Sequence, residues 1–232
     1  KEEWEFRGYY IRVLLTMGIP MGLQYSITAI GSIVLTTSVN GLGSVYVAAQ
    51  TAAGRVSCFF CTVYDALGST MATYGGQNVG AKKLGRLNKG LKCASIIGTI
   101  YSLVVFVIMF FYGRPFAALF VSSAENEILD AARLSLVIGT AFYVPLAFVN
   151  IVRFLIQGMG YPMLAIFAGV FEMIGRIAAA VFLVPVFGFT GVCFASPIAW
   201  VLADAFLFPA YFHVRKKTYQ LYHMDPEGPD PE

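Results

Sequence analysis

The chain has 232 residues, of which 58% are hydrophobic and 12% are charged, and its formal net charge is +3. An ordinary soluble domain carries about 25% charged residues, so these charges are too few to cover a surface in water. The mean hydropathy of +0.71 therefore indicates a protein that lies in a lipid membrane. The small net charge also argues against nucleic acid as a partner.

Uncharged stretches long enough to cross a bilayer predict six membrane spans. Residues 13–54 form 42 consecutive uncharged positions, about twice the roughly 20 residues that one helical crossing needs. Glycine, asparagine and serine at residues 40–44 are typical of a turn and divide this stretch into two spans. The six predicted spans cover residues 14–39, 45–76, 93–113, 134–152, 161–184 and 189–212.

These spans predict a six-helix domain over residues 13–214, between a cytoplasmic lead-in of residues 1–12 and a disordered cytoplasmic tail of residues 215–232. The last eight residues of the tail hold four acids and three prolines, a composition that favours disorder. Proline interrupts the first, fourth and sixth spans, where it frees a backbone carbonyl and permits a kink. These prolines are Pro20, Pro145 and Pro197.

The distribution of basic residues predicts the orientation in the membrane. Twelve basic residues fall on one side, Arg153 among them, and only Arg114 and Arg133 fall on the other. The positive-inside rule then places both termini in the cytoplasm. Two clusters carry most of this bias, and their members are Lys82, Lys83, Arg86, Lys89, Lys92, Arg215, Lys216 and Lys217.

The first basic cluster, residues 82–92, has a further property. Leu84, Leu87 and Leu91 lie at helical spacing opposite its lysines. This pattern suits a helix that lies on anionic lipid of the inner leaflet. A solvated basic loop is the alternative interpretation.

Five ionisable side chains lie within the predicted spans, namely Arg55, Asp65, Glu172, Arg176 and Asp204. Each costs roughly 2.5 to 3.5 kcal/mol at a helix centre, so each is expected to face protein or water. Glu172 precedes Arg176 by four residues, which favours an intrahelical ion pair, either purely structural or facing a polar pathway. Arg55 and Asp65 are too far apart along one helix to pair. Asp204 is near enough to the inner surface for snorkelling, a helix contact or proton binding.

The sequence contains no motif typical of an enzyme site. Cys58 and Cys61 are spaced like a redox or zinc pair, but they lie in an apolar span without a second pair. P-loop, metalloprotease and nucleophile-elbow motifs are absent. We therefore expect no catalytic activity, no bound metal and no cofactor.

Several separate segments resemble the multidrug and toxic compound extrusion (MATE) family. The most specific is residues 76–83, Gly-Gln-Asn-Val-Gly-Ala-Lys-Lys, followed by Arg86. The other segments come in the order typical of that family's second half, and they are residues 48–49, 157–160, 172–176 and 185–192. The resemblance covers residues 12–217.

The resemblance implies an all-α membrane protein, with six transmembrane helices forming one lobe of a twelve-helix MATE-type transporter. Members of the family exchange Na⁺ or H⁺ for amphipathic, often cationic, compounds. The chain begins at Lys1 rather than methionine, so we expect it to be the C-terminal half of a longer protein in a bacterial plasma membrane. Its partner would then be an N-terminal six-helix half.

The departures from the family pattern indicate a particular branch. In one branch the second half supplies coupling carboxylates from its first and fourth spans, whereas here these spans offer Gln24, Asn40 and Asn150 instead. This difference makes the chain similar to the DinF-like members, whose key aspartate belongs to the other half. The coupling ion, Na⁺ or H⁺, is then expected to bind mainly in that half.

The resemblance further implies a central cavity lined by the first, second and fourth spans, and a function as a cation/drug antiporter. The candidate cavity residues are Gln24, Tyr25, Asn40, Arg55, Tyr143 and Asn150. One alternative is a lipid-linked oligosaccharide flippase of the same superfamily, whose more cationic cavity could here draw only on Arg55 and Arg176. The other alternative is a six-helix membrane scaffold that transports nothing.

Overall fold

The computed structural model describes residues 8–121 and 125–222 and contains no β-strand within these ranges. A π-helical turn, Ala179–Leu183, joins the sixth helix to the seventh. The helices are α1 (Gly8–Asn40), α2 (Ser44–Gly80), α3 (Gly85–Ala117), α4 (Asn126–Ala141), α5 (Tyr143–Gly158), α6 (Pro162–Ala178), α7 (Val184–Phe187) and α8 (Phe189–Leu221). The predicted all-α class is confirmed.

Four helical segments are long and apolar enough to cross a membrane. They are α1, α3, α8 and Pro162–Phe187, which unites α6, the π-helical turn and α7. The bent pair of α4 and α5 passes the same test as a fifth span. α2 covers the second predicted span with 37 residues, but its glycines, threonines and serines, with Arg55 and Asp65, make it less apolar than α1, α3 and α8.

The fourth predicted span, residues 134–152, is not one straight helix. α4 ends at Ala141, α5 begins at Tyr143, and the two helices meet at an angle of 51°. Pro145 lies in the first turn of α5 and has no N–H to donate to the carbonyl of Ala141. The kink expected at Pro145 is therefore present, whereas Pro20 and Pro197 lie inside continuous helices.

The ends of the predicted domain differ from the structure. α1 begins at Gly8, inside the predicted lead-in, and α8 continues to Leu221, so residues 215–221 of the predicted disordered tail are helical. This extension is explained by burial, because Val214, Thr218 and Tyr219 pack into the core. Residues 1–7 and 223–232, including the acidic and proline-rich end of the predicted tail, lie outside the described residues.

Of the predicted surface helix, residues 85–92 are instead the beginning of α3, which continues into the third span, and residues 81–84 connect α2 to α3. Leu84 and Leu87 are completely buried, and Leu91 packs against the core. The leucines therefore face protein, and they do not form the apolar stripe that a helix lying on lipid requires. Contact between the lysines and anionic lipid remains a prediction.

Helix α5 forms the centre of the lobe. Every residue from Val149 to Gln157 on this helix is buried, and α5 packs against α2, α3, α6 and α8. Gly158 permits part of this contact, because a Cβ atom there would overlap the backbone of Ala72 on α2. α1 packs mainly against α6 and is otherwise open along much of its length.

Candidate functional site

A group of charged side chains is buried between α5 and α6. Glu172 Oε1 accepts a hydrogen bond from Arg153 Nη1 at 2.8 Å, and Glu172 Oε2 accepts one from Arg176 Nη2 at 3.3 Å. The three side chains are at most 10% exposed. We call this group the Arg–Glu–Arg triad, and it holds two cations and one anion in the interior of the lobe.

The triad contains one residue that sequence reasoning missed. The structure brings Glu172 and Arg176 together as the spacing predicts, and it adds Arg153, which was counted among the basic residues of the cytoplasmic side, to the same group. It is 8% exposed and is bound to Glu172. Arg153 and Glu172 are 19 residues apart on different helices, so no periodicity links them, and the one available signal was an arginine at the end of an apolar stretch.

A second buried contact connects α1 to α5. Gln157 Nε2 donates to Gln24 Oε1 at 2.7 Å, and Gln24 is only 2% exposed. Gly169 of α6 makes room for Gln24, because a Cβ atom there would lie 3.2 Å from Gln24 Cγ. Arg176 Nη1 also donates to the backbone carbonyl of Thr28 at 3.4 Å. Gln24, a predicted cavity residue, is thus engaged inside the lobe.

Asp204 of α8 lies beside these contacts. We call the triad, Gln24, Thr28, Gln157 and Asp204 together the buried polar layer. Its side chain is 8% exposed and lies within electrostatic range of Arg153 and Glu172. Several buried polar atoms in the layer have no hydrogen-bond partner in the described part of the chain, and they are Thr28 Oγ1, Arg153 Nε, Gln157 Oε1 and Asp204 Oδ1. Buried polar atoms in proteins usually find partners, so this concentration marks the layer as a candidate functional site.

A separate polar cleft of about 190 Å³ lies between α2, α4, α5 and α8. Of the predicted cavity residues it contains Tyr143, whose hydroxyl accepts a weak hydrogen bond from Cys61 Sγ at 3.8 Å. Ser135 Oγ donates to Gln50 Oε1 at 3.1 Å in the same cleft. Sequence reasoning missed Gln50 and Ser135, because single polar side chains are ordinary in membrane helices.

The other predicted cavity residues do not converge on one place. Tyr25 is 59% exposed on α1, and Asn40 lines a different recess of about 230 Å³ at the junction of α1 and α2. Asn150 is buried and donates to the carbonyl of Leu146 on its own helix at 3.0 Å. Arg55 is exposed on α2.

The remaining candidate side chains of the sequence analysis are Asp65 and the cysteines. Asp65 is exposed on α2. Within residues 8–121 and 125–222, no group of three or more His, Cys, Asp and Glu side chains is placed to hold a metal ion. The four cysteines are free thiols.

The long apolar helices, with charged groups buried between them, define an integral membrane protein. The family model MatE matches residues 20–182, which is more than half of the chain. The chain therefore belongs to the MatE family. A comparison with curated protein sequences finds no match.

Solved structures of MATE transporters share this fold. The Vibrio cholerae MATE transporter VcmN in the bent form matches 93% of this chain with a TM-score of 0.85 and 16% identity, over 49% of its own length. A MATE in complex with MaL6 matches 96% of the chain with a TM-score of 0.83 and 18% identity, over 50% of its length. A MOP superfamily transporter from Pyrococcus furiosus matches 88% of the chain with a TM-score of 0.71 and 19% identity, over 45% of its length. The chain thus spans about half the length of these transporters, and the predicted MATE half-fold is confirmed.

Proposed function

We propose that the chain is the C-terminal lobe of a secondary active multidrug exporter of the DinF-like branch, with both termini in the cytoplasm. The observation that carries the proposal is that nearly the whole chain superimposes on one half of a MATE transporter, VcmN. A lobe of this kind acts with a second lobe, because repeat-built carriers alternate access by rocking one repeat against the other around a site between them. The substrates would be amphipathic, mostly cationic compounds, exchanged for Na⁺ or H⁺.

The contacts within the lobe support movement as one body. α1 is held to α5 by the Gln24–Gln157 hydrogen bond and to α6 by the hydrogen bond from Arg176 to Thr28. These contacts fix the buried side of α1 and leave Tyr25 exposed. We infer that the exposed sides of α1 and α2, with Tyr25 and Arg55, face the cavity between the two lobes.

The pairing of Arg176 favours the drug exporter over the oligosaccharide flippase. A flippase cavity that binds an anionic lipid-linked sugar needs free positive charge, and the two candidate arginines were Arg55 and Arg176. Arg176 is 8% exposed and bound to Glu172, so its charge is compensated inside the lobe. Arg55 is then the exposed arginine of the two, and a single guanidinium supplies less positive charge than a cavity for an anionic lipid-linked sugar needs.

The pairing within the Arg–Glu–Arg triad favours a structural role for its three residues. Each guanidinium donates to a different carboxylate oxygen of Glu172, so both oxygens are held in ion pairs. The three side chains are also at most 10% exposed. We propose that the triad stabilises the lobe and does not process substrate.

The proposed function is tested by ethidium and norfloxacin efflux from proteoliposomes under an imposed Na⁺ or H⁺ gradient. The chain joined to its upstream half should show gradient-dependent efflux, and the chain alone should show none. Efflux by the chain alone would contradict the half-transporter proposal. Failure of the joined protein under both gradients would instead support the scaffold alternative.

A further inference from the structure

The buried layer contains one acidic side chain that the Arg–Glu–Arg triad does not use, Asp204. Its Oδ1 atom is buried and has no hydrogen-bond partner in the described ranges. Leaving a buried carboxylate oxygen without a donor is costly, because the ion loses its hydration and gains nothing in return. The protonated carboxyl group carries no charge and tolerates this position much better.

The charged groups that face Asp204 come from α5 and α6. Arg153 and Glu172 lie within electrostatic range, and Arg176 lies beyond Glu172 as its second partner. Both guanidinium groups donate to Glu172, so their close contacts are made with that carboxylate and not with Asp204.

The other elements packed against α8 place no further charged side chain of the described residues beside Asp204. The π-helical turn and α7 contain no titratable side chain. On α8 itself the nearest charged or basic side chains follow at least two turns later, at His213 and Arg215. The charged residues of α1 and α4 in the described ranges are all exposed, and they are Arg12, Glu127, Asp130 and Arg133.

The net charge of the buried layer depends on the protonation of Asp204. The triad carries two positive charges and one negative charge, so an ionised Asp204 makes the layer neutral and a protonated one leaves it with a net charge of +1. Arg153 Nε is buried and unpaired as well, so an ionised Asp204 has a free donor on a side chain within its electrostatic range. The described structure, in which neither atom is paired, fits the protonated form.

We propose that Asp204 is a proton-binding site of this lobe, and that deprotonation draws Asp204 and Arg153 together. A proton needs one oxygen, whereas Na⁺ needs several oxygen ligands and would lie beside two guanidinium groups that repel it. This site goes beyond the proposed function, because the DinF-like resemblance implies that the coupling ion binds mainly in the other lobe. The change couples α8 to α5, the central helix of the lobe.

The test is infrared difference spectroscopy of the purified complete protein between acidic and alkaline buffer. Wild type should show the carbonyl stretching band of buried protonated carboxyl groups in acid, and Asp204→Asn should lose the part of this band that Asp204 contributes. The matched control is Asp65→Asn, which removes an exposed carboxylate of α2 and should retain the band. Because the readout is spectroscopic, its outcome is independent of whether the protein exports drugs.

Three outcomes would overturn the proposal. The band could be missing from wild type, or it could persist in full in Asp204→Asn, which would assign it to another group. It could also disappear when Na⁺ is added at constant pH, which would show that a metal ion occupies the site. If Asp204→Asn does not fold, Asp204→Glu provides the test, since a shifted band supports the site and an unchanged band contradicts it.

Discussion

Arg153 and Glu172 are 19 residues apart on neighbouring helices, yet Arg153 Nη1 donates to Glu172 Oε1 at 2.8 Å in the interior of the lobe. A buried charge is tolerated only when it is paired and hydrogen-bonded. Here the carboxylate of Glu172 is the paired anion for two arginines, since Arg176 binds its other oxygen. Glu172 is therefore the residue on which the charge balance between α5 and α6 depends.

Removal of the Glu172 charge is expected to destabilise the protein strongly. Glu172→Gln leaves two guanidinium groups buried without an anion, a change that costs about 3–5 kcal/mol. Thermal unfolding in detergent, followed by size-exclusion chromatography, measures the loss. The control Asp65→Asn removes a carboxylate from an exposed position on α2 and should unfold like wild type.

A variant that neutralises the whole triad should be milder than Glu172→Gln alone. Replacing Arg153, Glu172 and Arg176 together by Gln leaves no buried charge unpaired in the triad, so part of the lost stability returns. The same unfolding assay compares the two proteins. If the triple variant loses as much as the three single losses added together, the residues do not act as a unit.

The hydrogen bond between Gln24 and Gln157 is expected to fix α1 to the rest of the lobe. Gln24→Ala leaves Gln157 Nε2 without its acceptor, and an unpaired buried donor costs about 1–3 kcal/mol. A double-mutant cycle of Gln24→Ala and Gln157→Ala measures the coupling from unfolding. Zero coupling energy would show that the contact does not stabilise the lobe. Tyr25→Ala, at the adjacent exposed position, should leave stability unchanged.

The close approach of α5 and α2 at Gly158 gives a steric prediction. Gly158→Ala adds a methyl group against the backbone of Ala72, and overpacking of this kind costs typically 1–3 kcal/mol. Gly139 of α4 is the matched control, because nothing lies within 4 Å of a Cβ atom placed there. Gly139→Ala should be neutral in the same unfolding assay, and an equal loss in both variants would argue against the contact with Ala72.

The sequence was sufficient to predict the membrane class, the turn between α1 and α2, and the kink at Pro145. These features depend on local properties, namely uncharged stretches, turn residues and a missing N–H. The pairing of Arg153 with Glu172, and the position of Asp204 beside them, depend on how α5, α6 and α8 pack. The spacing of residues along one helix does not predict that packing. The extension of α8 was missed for the same reason. Thr218 and Tyr219 follow a basic cluster and are typical of a polar tail, and only the structure shows that they are buried.

The central claim is that this chain is one lobe of an exporter and acts only together with a second lobe. Its most direct test expresses the chain and its upstream half as two separate polypeptides, singly and together, and measures ethidium efflux from energised membrane vesicles. Efflux should require both polypeptides and should collapse when the ion gradient is dissipated. Efflux from vesicles that contain this chain alone would contradict the claim.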